Sequence, residues 1–115
     1  MNADKIRTRV LDELQLLSQA TAQLDYEAAL ASHSVGHAPS ELIEVFCTDL
    51  FMPKAPNFVD AFTEPELKSL ARLYGLMVEA GKTKHHTVRD LLKDPAWRRV
   101  IALAKEMHVE LSRLV

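Results

Sequence analysis

Glycine is scarce in this chain, which has only three, at Gly36, Gly75 and Gly81. Folds built from many tight turns rely on glycine where the backbone needs a positive φ, so the scarcity argues against a turn-rich β fold. Leucine, alanine, glutamate and lysine, which favour helices or tolerate them well, are common instead. The composition therefore predicts an all-α protein.

Cysteine occurs once, at Cys47, which excludes a disulfide within the chain. A lone thiol is typical of a reducing compartment, and residues 1–14 carry charges throughout, unlike the apolar segment of a secretory signal. No run approaches the roughly 18 uncharged apolar residues of a membrane-spanning helix. We therefore expect a cytoplasmic protein that does not enter a membrane.

Neither sign of charge is in large excess, because the formal net charge is only −2. Such a balance gives no overall attraction to nucleic acid or to an anionic membrane. Hydrophobic residues make up 48% and charged residues 26% of the chain, as in ordinary globular proteins. A length of 115 residues suits one domain, so we predict a single helical domain over residues 1–115.

Apolar and small residues recur at intervals of three and four in the first third of the chain, the spacing of one helix face. These positions are Ile6, Val10, Leu14, Leu17, Thr21, Leu24, Ala28 and Ala31. Without an intervening proline or glycine, the pattern predicts one long helix over 3–33. That helix would be about 45 Å long, which exceeds the diameter of a compact domain of this size. It therefore either breaks near Thr21 or packs in part outside its own domain.

The middle of the chain carries clear helix start and stop signals. Ser40 is expected to cap a second helix, which Pro53 and Pro56 end because proline cannot continue a helix. Thr63 and Glu66 form a capping box, in which each side chain accepts a hydrogen bond from the other residue's backbone amide. The capping box predicts the start of a third helix.

The last third of the chain contains one further stop signal and one further start signal. Gly81 is expected to end the third helix, and Asp94 with Pro95 suits the N-cap and first position of a fourth. Short connections make neighbouring helices antiparallel. We predict a small bundle of four main helices over 3–33, 40–51, 64–80 and 95–114, with short helical turns near 57–62 and 87–92.

All four phenylalanines fall in one segment, at Phe46, Phe51, Phe58 and Phe62, although aromatic residues make up only 6% of the chain. One interpretation is a docking surface for a protein or peptide, because exposed apolar patches mark partner surfaces. The other is that the rings fill the core where a loop crosses between two helices. The sequence alone leaves both interpretations open.

Charge is distributed unevenly along the chain. An acidic segment contains Glu41, Glu44, Asp49, Asp60, Glu64 and Glu66, with Lys54 as its one base. A basic segment contains Lys82, Lys84, Arg89, Lys93, Arg98 and Arg99, with Asp90 and Asp94 as its acids. These segments suit a basic partner and a phosphate or nucleic-acid ligand, respectively. The alternative is that both are solvated helix faces that partly pair with each other.

The break at 94–95 within the basic segment loosely resembles the turn of a DNA-binding helix-turn-helix. A recognition helix needs polar side chains near its N-terminus, where they face the groove. Trp97 and Val100 occupy those positions here. Nucleic-acid binding through residues 82–99 is therefore the alternative function and not the leading one.

Chemically reactive residues are present but form no catalytic motif. His33 and His37 stand four apart, as two metal ligands on a helix would, but no glutamate or cysteine pair accompanies them. Cys47 could act as a nucleophile with a histidine and Asp49, yet no base is placed beside it. We therefore predict no enzyme and no cofactor, and a metal- or cysteine-dependent enzyme is the third hypothesis.

These observations favour a non-enzymatic module for protein–protein interaction, such as an adaptor, a regulator or a small neutralising protein. A homodimer formed through the long first helix is a second form of the same prediction. We expect the partner to contact Glu41, Glu44, Asp49, Phe51, Met52, Phe58 and Asp60. For an anionic ligand the expected contacts are Lys82, Lys84, Arg89, Lys93, Arg98 and Arg99.

Overall fold

Helices make up almost all of the computed structural model, which describes residues 2–32 and 37–113. Seven of them are α-helical and one short segment, Val45–Leu50, is a π-helix, called the π turn below. The α-helices are α1 (Ala3–Leu17), α2 (Ala20–Ser32), α3 (Ala38–Glu44), α4 (Pro56–Asp60), α5 (Glu64–Gly81), α6 (Val88–Lys93) and α7 (Pro95–Ser112). Since these ranges contain no strand, the prediction of a small all-α bundle is confirmed.

The prediction of one unbroken helix over 3–33 is wrong, and the alternative of a break near Thr21 is close to the structure, because α1 ends at Leu17 and α2 begins at Ala20. Gln23 closes the break: its Nε2 donates to the Leu17 carbonyl at 3.0 Å, and its Oε1 accepts from Trp97 Nε1 at 2.8 Å. Gln23 is fully buried, so these two bonds tie the start of α2 to the end of α1 and to Trp97 of α7 inside the core. The protein's longest dimension is 36 Å, so the 45 Å helix considered above does not exist.

The second predicted helix, over 40–51, is also built differently. It begins at Ala38 with His37 as N-cap, so Ser40 lies in its first turn and does not cap it. From Val45 the helix widens into the π turn, in which the Phe51 N–H donates to the Phe46 carbonyl at 2.8 Å. Pro56 begins α4, and only Pro53 acts as the expected stop.

The predicted starts of the later helices are confirmed. The Thr63 N–H donates to Glu66 Oε1 at 2.7 Å and the Glu66 N–H donates to Thr63 Oγ1 at 3.4 Å, which completes the capping box. Asp94 caps α7 by accepting from the Ala96 N–H at 2.9 Å. Gly81, predicted to lie just beyond α5, is instead its last residue, and the helix ends on Lys82 with an ordinary right-handed backbone.

The core lies where α1, α5 and α7 pack together, with α7 in contact with both other helices. Trp97 of α7, at 0% exposure, is the largest side chain in it. The π turn and α4 cover one end of this three-helix layer against α1, and α2, α3 and α6 cover the other. The surface between α1, the π turn and α4 is therefore built on a rigid base.

One buried ion pair joins the ends of several helices. Both Arg7 terminal nitrogens, Nη1 and Nη2, donate to the Glu66 carboxylate, at 2.9 and 2.8 Å. The same nitrogens donate to the carbonyls of Ala61 at 3.0 Å and Leu111 at 3.1 Å, at the C-terminal ends of α4 and α7. The guanidinium also lies 5.6 Å from the centre of the Phe62 ring. Since carbonyls at helix ends lack partners within their own helix, Arg7 satisfies groups that would otherwise be left bare.

We expect Arg7→Met to lower the free energy of unfolding by about 2 to 4 kcal/mol, because it leaves a buried carboxylate and two helix-end carbonyls unpaired. Urea unfolding followed by circular dichroism measures the loss. The control is Lys5→Met on the same helix, because the Lys5 side chain is exposed and makes no hydrogen bond or ion pair within the described residues. A similar loss in both variants would contradict the role given to Arg7.

Glu13 is an exception in the α1 face of the core, because its carboxylate is buried without adequate compensation. The residue is 8% exposed, and among the described parts of the chain its Oε1 has no hydrogen-bond partner. Burial raises the pKa of Glu13 to about 7, while the positive charge of Arg9 lowers it only in part. Since the usual value is 4.5, the folded protein holds this proton more tightly than the unfolded chain does.

A carboxyl whose pKa is raised by folding stabilises the folded state fully below its unfolded pKa and loses that contribution as pH rises through the folded value. The loss for Glu13 falls between pH 4.5 and about 7 and amounts to about 3 kcal/mol. We therefore expect Glu13→Gln to be increasingly more stable than the wild type as pH rises across this window. Urea unfolding at a series of pH values measures the difference, and a constant difference would disprove the assignment.

Candidate functional site

The phenylalanine segment contributes mainly to the core. Phe46, Phe58 and Phe62 are 0%, 1% and 8% exposed, whereas Phe51 is half-buried. The Phe51 ring stacks on Phe46 at 5.7 Å, meets Phe58 edge-on at 5.7 Å and lies 5.1 Å from Tyr74, all measured between ring centres. The core interpretation is therefore correct for three rings, and any docking surface in this segment must use their neighbours.

A groove opens beside this aromatic cluster, between α1 on one side and the π turn with α4 on the other. Its volume is about 230 Å³. The lining residues are Ile6, Arg9, Asp49, Leu50, Met52, Ala55, Asn57 and Phe58. Five of the eight are apolar, so the wall is mainly hydrocarbon with a few polar groups, which is the usual make-up of a binding groove. This interhelical groove is the candidate protein-binding site.

Three residues predicted to contact a partner meet in the interhelical groove: Asp49, Met52 and Phe58. Met52 is 46% exposed, whereas Phe58, almost completely buried, reaches the groove only as part of its wall. Phe51 lies behind this wall, packed on the Phe58 ring. The segment therefore exposes Met52 at the groove, whereas the ring of Phe58 forms part of the groove wall.

The π turn shapes one wall of the interhelical groove. Its last two residues, Asp49 and Leu50, line the groove, with Leu50 buried and Asp49 exposed. A π-helix carries more residues per turn than an α-helix and is found often at functional sites. Here Phe46 and Leu50 both point into the core, one at each end of the wide turn, and the residue before Leu50 is left on the rim.

The acids predicted to meet a partner differ in their surroundings. Glu44, Asp49 and Asp60 are exposed, and within residues 2–32 and 37–113 none of them forms an ion pair. Glu41 is half-buried near α2, where burial raises the pKa of Tyr26 and the charges of Glu41 and Glu13 raise it further. The acidic rim of the groove is therefore formed by Asp49, with Glu44 and Asp60 on the adjoining elements.

The acidic segment loses one member to the core. Glu66 is occupied by Arg7, and hydrogen bonds from Arg7 hold the pKa of Glu66 below its usual range, outweighing the opposite effect of burial. Its charge therefore contributes to holding the helices together and is not offered to a partner. Glu64, in the first turn of α5, is exposed.

The six residues of the predicted anion-binding set are all exposed and are spread over several elements. Lys82 pairs with Glu79 at 2.9 Å, and Arg98 Nε donates to the Leu92 carbonyl at 3.2 Å. Lys84 lines a hollow beside α3, whereas Arg99 lies in a different hollow between α5 and α7. Arg89 and Lys93 lie on α6. Nucleic-acid binding by this set stays a prediction.

The residues considered for nucleophilic or metal chemistry are dispersed. Cys47 is half-buried in the π turn, where burial raises the pKa of its thiol to about 11, so the thiol stays protonated near neutral pH. His33 lies outside the described residues. Among the residues that are described, no three histidine, cysteine, aspartate or glutamate side chains converge as metal ligands.

Sequence reasoning missed the α1 wall of the groove. Ile6 belonged to the apolar stripe and was expected only to pack, and Arg9 carried no signal, because a single base on a helix is ordinary. The charge of Arg9 matters here because the groove places it on the wall opposite Asp49. Only the fold of α1 against the π turn brings these two residues to one site.

Two broader findings complete the description of the groove and its surroundings. None of the helices in the described ranges is both long and apolar enough to cross a bilayer. Comparison with protein-family models, with curated proteins and with solved structures finds no match. The groove itself, with its apolar wall, Met52 and Asp49, is therefore the feature from which a function can be inferred.

Proposed function

We propose that this protein is a non-enzymatic module for protein–protein interaction, and that its interhelical groove binds a partner segment with one apolar side chain next to a basic one. The observation that carries the proposal is the juxtaposition of an apolar groove with carboxylates that have no ion-pair partner among the described residues. An adaptor, a regulator and a small neutralising protein would each use such a groove.

The apolar wall supplies the affinity in this proposal. A volume of about 230 Å³ suits one or two large side chains and is too small for most drug-sized ligands. Met52 stands 46% exposed at the groove, and methionine adapts its shape to different partners because its side chain is unbranched and flexible. Burying a leucine or phenylalanine side chain there would contribute about 1.5 to 3 kcal/mol.

The charges around the groove supply the orientation. Asp49 on the rim, with Glu44 and Asp60 nearby in the chain, favours a basic residue on that side of the partner. Arg9 on the opposite wall disfavours a second basic residue there and can instead donate hydrogen bonds to an acidic or carbonyl group. A partner segment should therefore bind in one orientation across the groove.

A second copy of this chain is another occupant of the interhelical groove that experiment has to test. The overhanging helix that first motivated a homodimer is absent, because the break at residues 18 and 19 turns α2 away from the line of α1. Self-association would have to use the groove or another exposed apolar surface. Light scattering after size-exclusion chromatography gives the mass before partners are tested.

We place the interaction in the cytoplasm, since the single cysteine suits a reducing compartment.

Selection of peptides from a random phage-displayed library tests the groove directly. We expect enriched peptides to combine a leucine, phenylalanine or methionine with a neighbouring lysine or arginine. Met52→Lys should weaken their binding by about tenfold or more, because it places a charge in the apolar wall and repels the basic residue. Isothermal titration calorimetry with the enriched peptides measures the change.

Val109→Lys is the matched control, because Val109 is 50% exposed on α7 and lies away from the groove. The control should bind the peptides as the wild type does. Equal weakening in both variants, or selection of acidic peptides, would contradict the proposed site. Asp49→Asn should weaken only those peptides that contain a basic residue, which separates the contribution of charge from that of the apolar wall.

A further inference from the structure

A second hollow lies on another part of the molecule, where the start of α3 faces the end of α5 and the loop before α6. Its volume is about 370 Å³, within the range of small-molecule sites. The lining residues are His37, Pro39, Ser40, Ile43, Gly81, Thr83, Lys84, His85 and His86. None of them lines the interhelical groove, so the histidine hollow, as we call it, is a separate feature.

The lining of the histidine hollow contains a basic side chain and no acidic one. Lys84 is the charged residue of the lining, the three histidines at 37, 85 and 86 line it as well, and no aspartate or glutamate is among the lining residues. In the described chain Lys84 forms no ion pair, whereas its neighbour Lys82 is paired with Glu79. The hollow therefore attracts anions without a carboxylate on its wall to compete for them.

His85 is fixed in the wall by a carboxylate behind it. The residue is 8% exposed, and its Nε2 lies 2.8 Å from Asp94 Oδ2. Burial raises the pKa of Asp94, but hydrogen bonds from the Ala96 N–H and from His85 lower it by more, so the pKa lies below its usual value. The carboxylate is therefore ionised and only accepts hydrogen bonds. The hydrogen in this bond therefore belongs to His85 Nε2. Asp94 therefore fixes the orientation of the His85 ring in the wall of the hollow.

Hydroxyl groups add donors to the hollow. The Ser40 hydroxyl lies 2.8 Å from His37 Nδ1, which holds two lining side chains in a defined arrangement at the start of α3. Thr83 supplies a second hydroxyl from the loop side. Several donors together with a positive charge are the groups that bind the oxygens of a phosphate.

We propose that the histidine hollow binds the phosphate of a small phosphomonoester, with Lys84 as the charged contact, His86 as a second contact from the same loop, and His85, positioned by Asp94, as a fixed part of the wall. The hollow exceeds what a bare phosphate needs, and Pro39 and Ile43 give it an apolar wall for the rest of the ligand. A nucleic acid fits less well, because Arg99 lies in a different hollow and Arg98 is bonded to a backbone carbonyl.

The test is a titration of the isotope-labelled protein with ribose 5-phosphate, inorganic phosphate, ribose and a single-stranded oligonucleotide, followed by two-dimensional NMR of the histidine ring protons and backbone amides. We expect ribose 5-phosphate to shift the signals of residues 37, 84, 85 and 86 along a saturating curve in the low millimolar range. Ribose should cause no shift, and inorganic phosphate should bind more weakly than the ester.

Lys84→Gln should weaken ribose 5-phosphate binding by about tenfold, and His86→Gln should weaken it in the same direction. Lys82→Gln is the matched control: it removes the same charge two residues away, outside the hollow, and should leave the affinity unchanged. Equal effects of the two lysine variants would show a diffuse attraction and overturn the proposal. So would the absence of saturation, inorganic phosphate binding as tightly as the ester, or shifts by the oligonucleotide alone.

Discussion

Arg7 and Glu66 form the contact on which the arrangement of helices depends most. One guanidinium pairs with the first turn of α5 and covers the last carbonyls of α4 and α7. The same carboxylate completes the capping box of α5. A helix end normally needs its own cap, yet here one ion pair serves three ends. Because Arg7 lies between Ile6 and Arg9 in α1, the contact that closes the core also fixes the α1 wall of the interhelical groove.

The two candidate sites differ in physical character and lie on different elements. The interhelical groove is apolar, with Asp49, which forms no ion pair in the described part of the chain, at its edge, and its shape comes from the packing of α1 against the π turn and α4. The histidine hollow is polar and basic, and its shape comes from loops at the ends of α3 and α5. The two sites are joined by one continuous helical segment, because α3 runs directly into the π turn.

Much of the fold could be predicted from local signals, because capping is a property of neighbouring residues. The capping box at Thr63 and the N-cap at Asp94 were readable for that reason. The break after Leu17 was not fully readable, because it is completed by Gln23 and Trp97, which are distant in sequence. For the site, Asp49 and Met52 stood in a distinctive segment, whereas Arg9 became relevant only through the packing of α1.

The chain has a single tryptophan, Trp97, and its indole N–H is bonded to Gln23 inside the core. Indole fluorescence responds to the polarity around the ring and to the loss of such a bond. Since Gln23 belongs to α2 and Trp97 to α7, the emission of this one residue reports whether α2 is docked. Trp97 is thus an intrinsic fluorescent probe of the region where α1 ends and α2 begins, and detachment of α2 can be followed without any added label.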